Sequence, residues 1–132
     1  MPLDLILTNF EKFGALIGIA SYILLIISAQ QAKENIIQQQ SDAHTNVGPN
    51  DSTKTAATSS WLRLFTFLIL ATIAYIRLRE REQRIESGME TSSATPNLNI
   101  TIGSWIVVIG FLLVSIGAQQ RSEQTNARIT LI

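Results

Sequence analysis

Three apolar windows constrain the fold of this chain more than any other feature. They run over residues 13–29, 61–76 and 100–118. A helix needs about 20 apolar residues to cross a hydrocarbon core of about 30 Å, and about 17 suffice when the bilayer thins. The windows are apolar on all sides, whereas helices of a soluble core carry a polar stripe. The pattern predicts an all-α integral membrane protein with three transmembrane helices in a small bundle.

Arg63 is the one charged residue inside these windows, two positions after Trp61. A long arginine side chain near the end of a span can reach the headgroups, and tryptophan prefers the same interface. The sequence therefore predicts that Arg63 marks the edge of the second span. Ionisable residues at mid-membrane mark proton relays and ion paths, so an edge position argues against a proton-coupled transporter.

An internal repeat relates the first window to the third. When the chain is displaced by 89 positions, eight of the 21 residues from Gly14 to Glu34 are identical to their counterparts, including the polar run Ala-Gln-Gln. Small residues recur every seven positions in both copies; they are Gly14, Ser21 and Ser28 in the first window and Gly103, Gly110 and Gly117 in the third window. Such a row allows helices to approach closely. We expect spans one and three to run parallel and to pack against each other through these six residues.

A charged segment follows the second window. Its arginines and glutamates, over residues 77–88, stand at helical neighbour spacing. This predicts that the helix of the second span, capped at Ser59 or Ser60, extends beyond the membrane and ends at Gly88. Four arginines make this extension a candidate docking surface; they are Arg77, Arg79, Arg81 and Arg84. Because clustered arginines favour the cytoplasmic side, the connection between spans two and three is expected to lie in the cytoplasm or its equivalent, together with the N-terminus. The total count does not distinguish the sides, since five basic residues lie on each.

The connecting segments are polar. Residues 38–60 are rich in Ser, Thr, Asn and Asp, and residues 91–97 contain Pro96, which is expected to stop any helix there. Both are predicted to be flexible connectors, and the chain is predicted to form a single membrane domain over residues 1–132. The apolar residues between 3 and 13 stand at helical spacing, which fits either an interfacial helix or a frayed end.

The chain contains little reactive chemistry. It has no cysteine, and its single histidine, His44, stands near Asp42 in the polar segment without a second histidine. None of the common nucleotide, phosphate, zinc-protease or hydrolase motifs occurs. We therefore expect no catalytic, cofactor-binding or metal-binding residues and no enzyme activity. Ten basic residues balance ten acidic ones, so no nucleic-acid partner is expected.

Small size, rows of small residues and uncharged spans favour a non-catalytic structural, assembly or stabilising subunit of a larger membrane complex. Its expected partners are the lipid bilayer and other membrane-protein subunits, in a bacterial inner membrane or an organellar equivalent. The alternative is a homo-oligomeric pore in the manner of three-span phage holins, which are similar in size and number of spans. A small transporter or channel ranks third, because no charged or broken-helix binding site is apparent.

Overall fold

The chain folds into three long helices in a computed structural model. The structure describes residues 2–41 and 52–130, with the side chains of residues 3–40 and 52–125. The helices are α1 (Pro2–Ser41), α2 (Ser52–Glu86) and α3 (Thr95–Thr130), and each is long and apolar enough to span a membrane. The predicted all-α architecture with three spans is confirmed. Residues 3–13 form the first turns of α1, continuous with the first apolar window.

The polar connector expected over residues 38–60 is mostly helix. Residues 38–41 belong to α1, residues 52–60 belong to α2, and residues 42–51, which include His44, lie outside the described residues. Ser59 and Ser60 do not cap α2, because they are buried inside it. The prediction was wrong because it equated polar with solvent-exposed. Hydroxyls can instead bond to helix carbonyls, as the buried Ser59 does to the carbonyl of Ser21 at 2.7 Å.

The turn between α2 and α3 follows from one glycine and one proline. Gly88 has a φ of +78°, and its N–H donates to the Ile85 carbonyl while the N–H of Met89 donates to the Arg84 carbonyl. This is a Schellman cap, which confirms that Gly88 terminates the helical extension. Pro96 does not stop a helix. It lies in the first turn of α3, where a backbone N–H has no intrahelical carbonyl to bond to, so proline loses no helical hydrogen bond there.

The outer helices α1 and α3 each pack against α2. Near one end the Arg77 guanidinium binds Glu11 and the Thr101 hydroxyl donates to the Ala74 carbonyl, while near the other end Ser28 contacts the start of α2. Both outer helices are therefore antiparallel to α2, and the predicted parallel course of spans one and three is confirmed. Within the described residues, close backbone contacts join α1 to α2 and α2 to α3 but do not join α1 to α3.

The core between the helices is small. Leu64, Ala71 and Val108 form its buried centre, and the rings of Phe67 and Phe111 stack against it with centroids 4.9 Å apart. The fully buried side chains of the described residues include three serines, Ser21, Ser59 and Ser115. Small buried side chains indicate close helix approach, and contact of this kind drives helix association in lipid.

Candidate functional site in the groove between the outer helices

The small residues of α1 face α2 rather than α3. They are Gly14, Ser21 and Ser28, and are called the α1 seam below. A Cβ atom at Gly14 would lie 3.4 Å from the nearest α2 side-chain atom. The fully buried Ser21 accepts a hydrogen bond at its carbonyl from the Ser59 hydroxyl, and the Ser28 hydroxyl donates to the Ser52 carbonyl, both at 2.7 Å. Such interhelical bonds average about 0.6 kcal/mol in membranes. The α1 seam holds α1 on α2.

The glycines of α3 face away from the bundle. They are Gly103, Gly110 and Gly117, and are called the α3 glycine face below. A Cβ atom at any of them would meet nothing within 4 Å. The side of α3 that packs on α2 carries a different row with the same period; it consists of Thr101, Val108, Ser115 and Ser122, all buried. Direct packing of spans one and three through matching seams is therefore wrong within the described chain.

The repeat alone does not determine which seam meets α2, because each helix can turn about its own axis. In this structure α1 presents its seam to α2, whereas α3 presents the row from Thr101 to Ser122. The row from Thr101 to Ser122 could have been found from the sequence, since its seven-residue period is the same and is offset from the glycines by two positions.

Arg63 lies at mid-depth of the bundle and not at its edge. Its guanidinium carbon is 5.4 Å from the ring centroid of Tyr22 and 5.4 Å from that of Phe111, residues near the middle of the first and third windows. Lys54 and Arg77, the charges that bracket this part of α2, are 23 residues apart, or about 34 Å at 1.5 Å per residue. Arg63 is nine residues from Lys54, so its Cα lies within about 4 Å of the midpoint.

The edge prediction was wrong because α2 begins at Ser52, well before the apolar window starts at residue 61. The turns before that window pack against apolar parts of α1 and α3, and their small residues are buried; these are Ala56, Ala57, Ser59 and Ser60. The level of Arg63 is therefore decided by its neighbours on other helices. Sequence reasoning missed this residue as a site because the window on α2 alone placed it at a border.

The surroundings of Arg63 are incomplete for a charged group. One terminal N–H₂ group donates to the Ser60 hydroxyl at 3.4 Å, and the Nε atom is buried without an acceptor. Arg77 and Arg84, by contrast, form ion pairs toward the other end of α2. Insertion scales give a cost of about 2.5–3.5 kcal/mol for an arginine at mid-membrane, and each ring contact offsets about 0.5–2 kcal/mol of it.

A cavity of about 310 Å³ lies beside Arg63 in the groove between α1 and α3. Arg121 of α3 lines the same cavity, which we call the two-arginine cavity. Its other walls come from all three helices and include Leu25, Ser60 and Val114. The cavity combines apolar walls with two cations, and no carboxylate of the described residues lines it.

The arginines of the charged extension are largely engaged within the chain. Arg77 makes a two-fold hydrogen bond to Glu11, with the longer contact at 3.1 Å. Arg81 donates to the Ser92 hydroxyl at 2.7 Å, and Arg84 lies 3.4 Å from Glu80. Arg79 is exposed. The extension thus fastens α1 and the turn before α3 to α2, which reduces the expected docking surface.

The turn that follows this extension contains Glu90, a carboxylate whose neighbours lower its pKa. The Ser92 hydroxyl donates to the Glu90 carboxylate at 2.7 Å. This bond, the backbone bond from Ser92 and the nearby arginines hold the pKa of Glu90 below its usual range. Among the described residues no group of three or more histidines or carboxylates could hold a metal ion.

The described residues therefore define a multi-pass membrane protein of three helices with an arginine-lined groove. A scan against protein-family models and searches of curated proteins and solved structures found no match to this chain.

Proposed function

We propose that this protein is a non-catalytic membrane subunit that assembles with other membrane proteins through the α3 glycine face. The observation that carries the proposal is the open space over Gly103, Gly110 and Gly117, where an added Cβ would meet nothing within 4 Å. A row of glycines with a seven-residue period is the surface on which a second helix can approach most closely. In lipid, this contact supplies the attraction that hydrophobicity cannot supply.

The packing within the chain supports the same proposal. The α1 seam is used internally, against α2, and its contacts include hydrogen bonds to that helix. The matching glycines on α3 have no such internal use. Apolar side chains flank the glycines along α3, among them Ile106 and Leu113, and both are well exposed. This surface suits a partner helix as well as lipid.

The test begins with gentle solubilisation of the tagged protein from its native membrane, followed by native mass determination and identification of whatever co-migrates. We expect a larger complex of fixed stoichiometry. Gly110→Leu should lose the partner, because the bulkier side chain prevents close approach. Ala20→Leu, a similar enlargement at an exposed position of α1, is the matched control and should retain it.

A homo-oligomer would instead support the pore hypothesis. The chain has no cysteine, so Gly110→Cys gives a single reporter for this case. Oxidation would link two copies of the chain if α3 packs on α3 of a second copy. A lone monomer that loses nothing on Gly110→Leu would refute both the subunit and the homo-oligomer.

A further inference from the structure

The two-arginine cavity presents charge chemistry that assembly through the α3 glycine face does not use. A guanidinium has five N–H donors and no acceptor. The described surroundings of Arg63 supply one hydroxyl, at the long distance of 3.4 Å, and no acceptor for Nε. The guanidinium carbon lies over the rings of Tyr22 and Phe111, 5.4 Å from each centroid, and such contacts do not replace hydrogen-bond acceptors for its N–H groups. The group therefore retains unused donors beside an open cavity.

The two arginines converge because of the helix directions. Side chains on a helix lean toward its N-terminus. Since α2 and α3 are antiparallel, Arg63 leans along the groove toward the Lys54 end while Arg121 leans inward from that end. Both line one cavity. Two like charges near a medium of low dielectric constant repel each other, and a bound anion would turn this repulsion into attraction.

We propose that the two-arginine cavity binds the phosphate headgroup of an anionic phospholipid. A phosphate accepts forked hydrogen bonds from guanidinium groups, and basic pockets between transmembrane helices suit such headgroups. The position fits, because the cavity extends from the mid-depth Arg63 toward the charged end of α2, where Ala56, two residues from Lys54, and Arg121 line it. Leu25 and Val114 supply apolar walls for the start of an acyl chain.

The size of the cavity favours a lipid over a partner helix. One turn of a helix, 10 Å across and 5.4 Å in pitch, occupies roughly 400 Å³. The cavity holds about 310 Å³ and is bordered by α1 and α3. A headgroup with the upper part of one chain enters a space of this size, whereas a whole helix turn with its side chains does not. The proposal requires that the chain spans a bilayer. Gly117 of the α3 glycine face also lines this cavity, so lipid binding is tested on the chain purified alone, with no partner on that face.

The experiment uses the full-length chain, purified alone in detergent, with phosphatidylglycerol or phosphatidylcholine added and the bound lipids counted by native mass spectrometry. We expect one phosphatidylglycerol to be retained in preference to phosphatidylcholine. Arg63→Met keeps an unbranched apolar stem and removes the guanidinium and its charge. It should weaken binding about 10- to 100-fold, the loss expected when a charge-assisted hydrogen bond is removed.

Two further variants keep the proposal falsifiable. Arg121→Gln leaves Arg63 in place and should also weaken lipid binding, which provides a test if Arg63→Met fails to fold. Arg79→Met, at the exposed arginine of the charged extension, is the matched control and should bind as the unaltered chain does. Equal retention of both lipids, or unchanged binding by Arg63→Met or Arg121→Gln, would overturn the proposal. If lipid binding is unchanged and Arg63→Met loses a co-purifying membrane protein in the native solubilisation described above, Arg63 would be assigned to a partner's carboxylate instead.

Discussion

Replacement of Ser21 by leucine should destabilise the chain more than the same replacement at its repeat counterpart, Gly110. Ser21 is fully buried, its hydroxyl donates to the Gly18 carbonyl at 2.7 Å, and its carbonyl accepts from Ser59 at 2.7 Å. Overpacking of a filled site costs about 1–3 kcal/mol. The bulkier side chain also pushes α1 away from α2 and so breaks the hydrogen bond from Ser59 to the Ser21 carbonyl, which contributes about 0.6–1.7 kcal/mol. We therefore expect Ser21→Leu to lower the free energy of unfolding by about 2–4 kcal/mol.

The effect of Gly110→Leu should have the opposite sign in the isolated chain. Nothing lies within 4 Å of a Cβ atom at this position. Leucine is a better helix former than glycine by about 0.8 kcal/mol, and no described neighbour opposes the larger side chain. The two positions are equivalent in the sequence repeat, so the difference between the variants reports only which face of each helix is covered.

The assay is reversible unfolding of the purified monomer in mixed micelles, followed by far-ultraviolet circular dichroism as the denaturing detergent is increased. Ser21→Leu should shift the midpoint to less denaturant, and Gly110→Leu should leave it unchanged or raise it. Equal losses for the two variants would refute the reasoning, because Gly110 would then be covered by another helix of the same chain.

Three further results are expected. Gly14→Cys combined with Ile69→Cys should form an intramolecular disulfide on mild oxidation, detected by intact mass, because a Cβ atom at Gly14 would lie 3.8 Å from that of Ile69; only linear monomer would contradict the α1–α2 packing. Gly88→Ala should cost about 1 kcal/mol through its positive φ alone and speed hydrogen exchange in the turn, whereas unchanged exchange would speak against the cap. The Glu90 pKa, followed by NMR titration, should lie below that of an ordinary glutamate and rise in Ser92→Ala. Because the folded-state pKa is lowered, the contribution of Glu90 to turn stability is present above the ordinary carboxyl pKa and is lost as pH falls through the lowered value; an unchanged pKa in Ser92→Ala would rule out the assigned cause.

The membrane-spanning character of the chain could be predicted from the composition and length of short stretches of sequence. Transfer of apolar side chains into lipid depends on composition and length, so windows of 16 to 19 residues identify spans without knowledge of their neighbours. The helix end at Gly88 is equally local, since only the backbone conformation of that residue is involved. The parallel course of spans one and three follows from the number of crossings.

Other features depended on which helices meet. The start of α2 was misjudged because Ser59 and Ser60 lie at helix contacts, and a hydroxyl looks the same in sequence whether it faces water or a carbonyl. The α1 seam and the α3 glycine face have the same seven-residue period. The period gives the spacing of the small residues along each helix, but it does not determine which helix they contact.

Arg63 is the clearest example of a residue whose position the sequence alone did not determine. Its identity and its distance from Trp61 are properties of the sequence, and alone they indicate the border of a span. Its depth, its contacts with Tyr22 and Phe111, and its shared cavity with Arg121 exist only after α1 and α3 have packed on α2. Hydrophobicity acts on each segment separately and therefore determined the three spans. The vertical offset between helices is set by side-chain contacts across them, so only the tertiary structure decided where this charge lies.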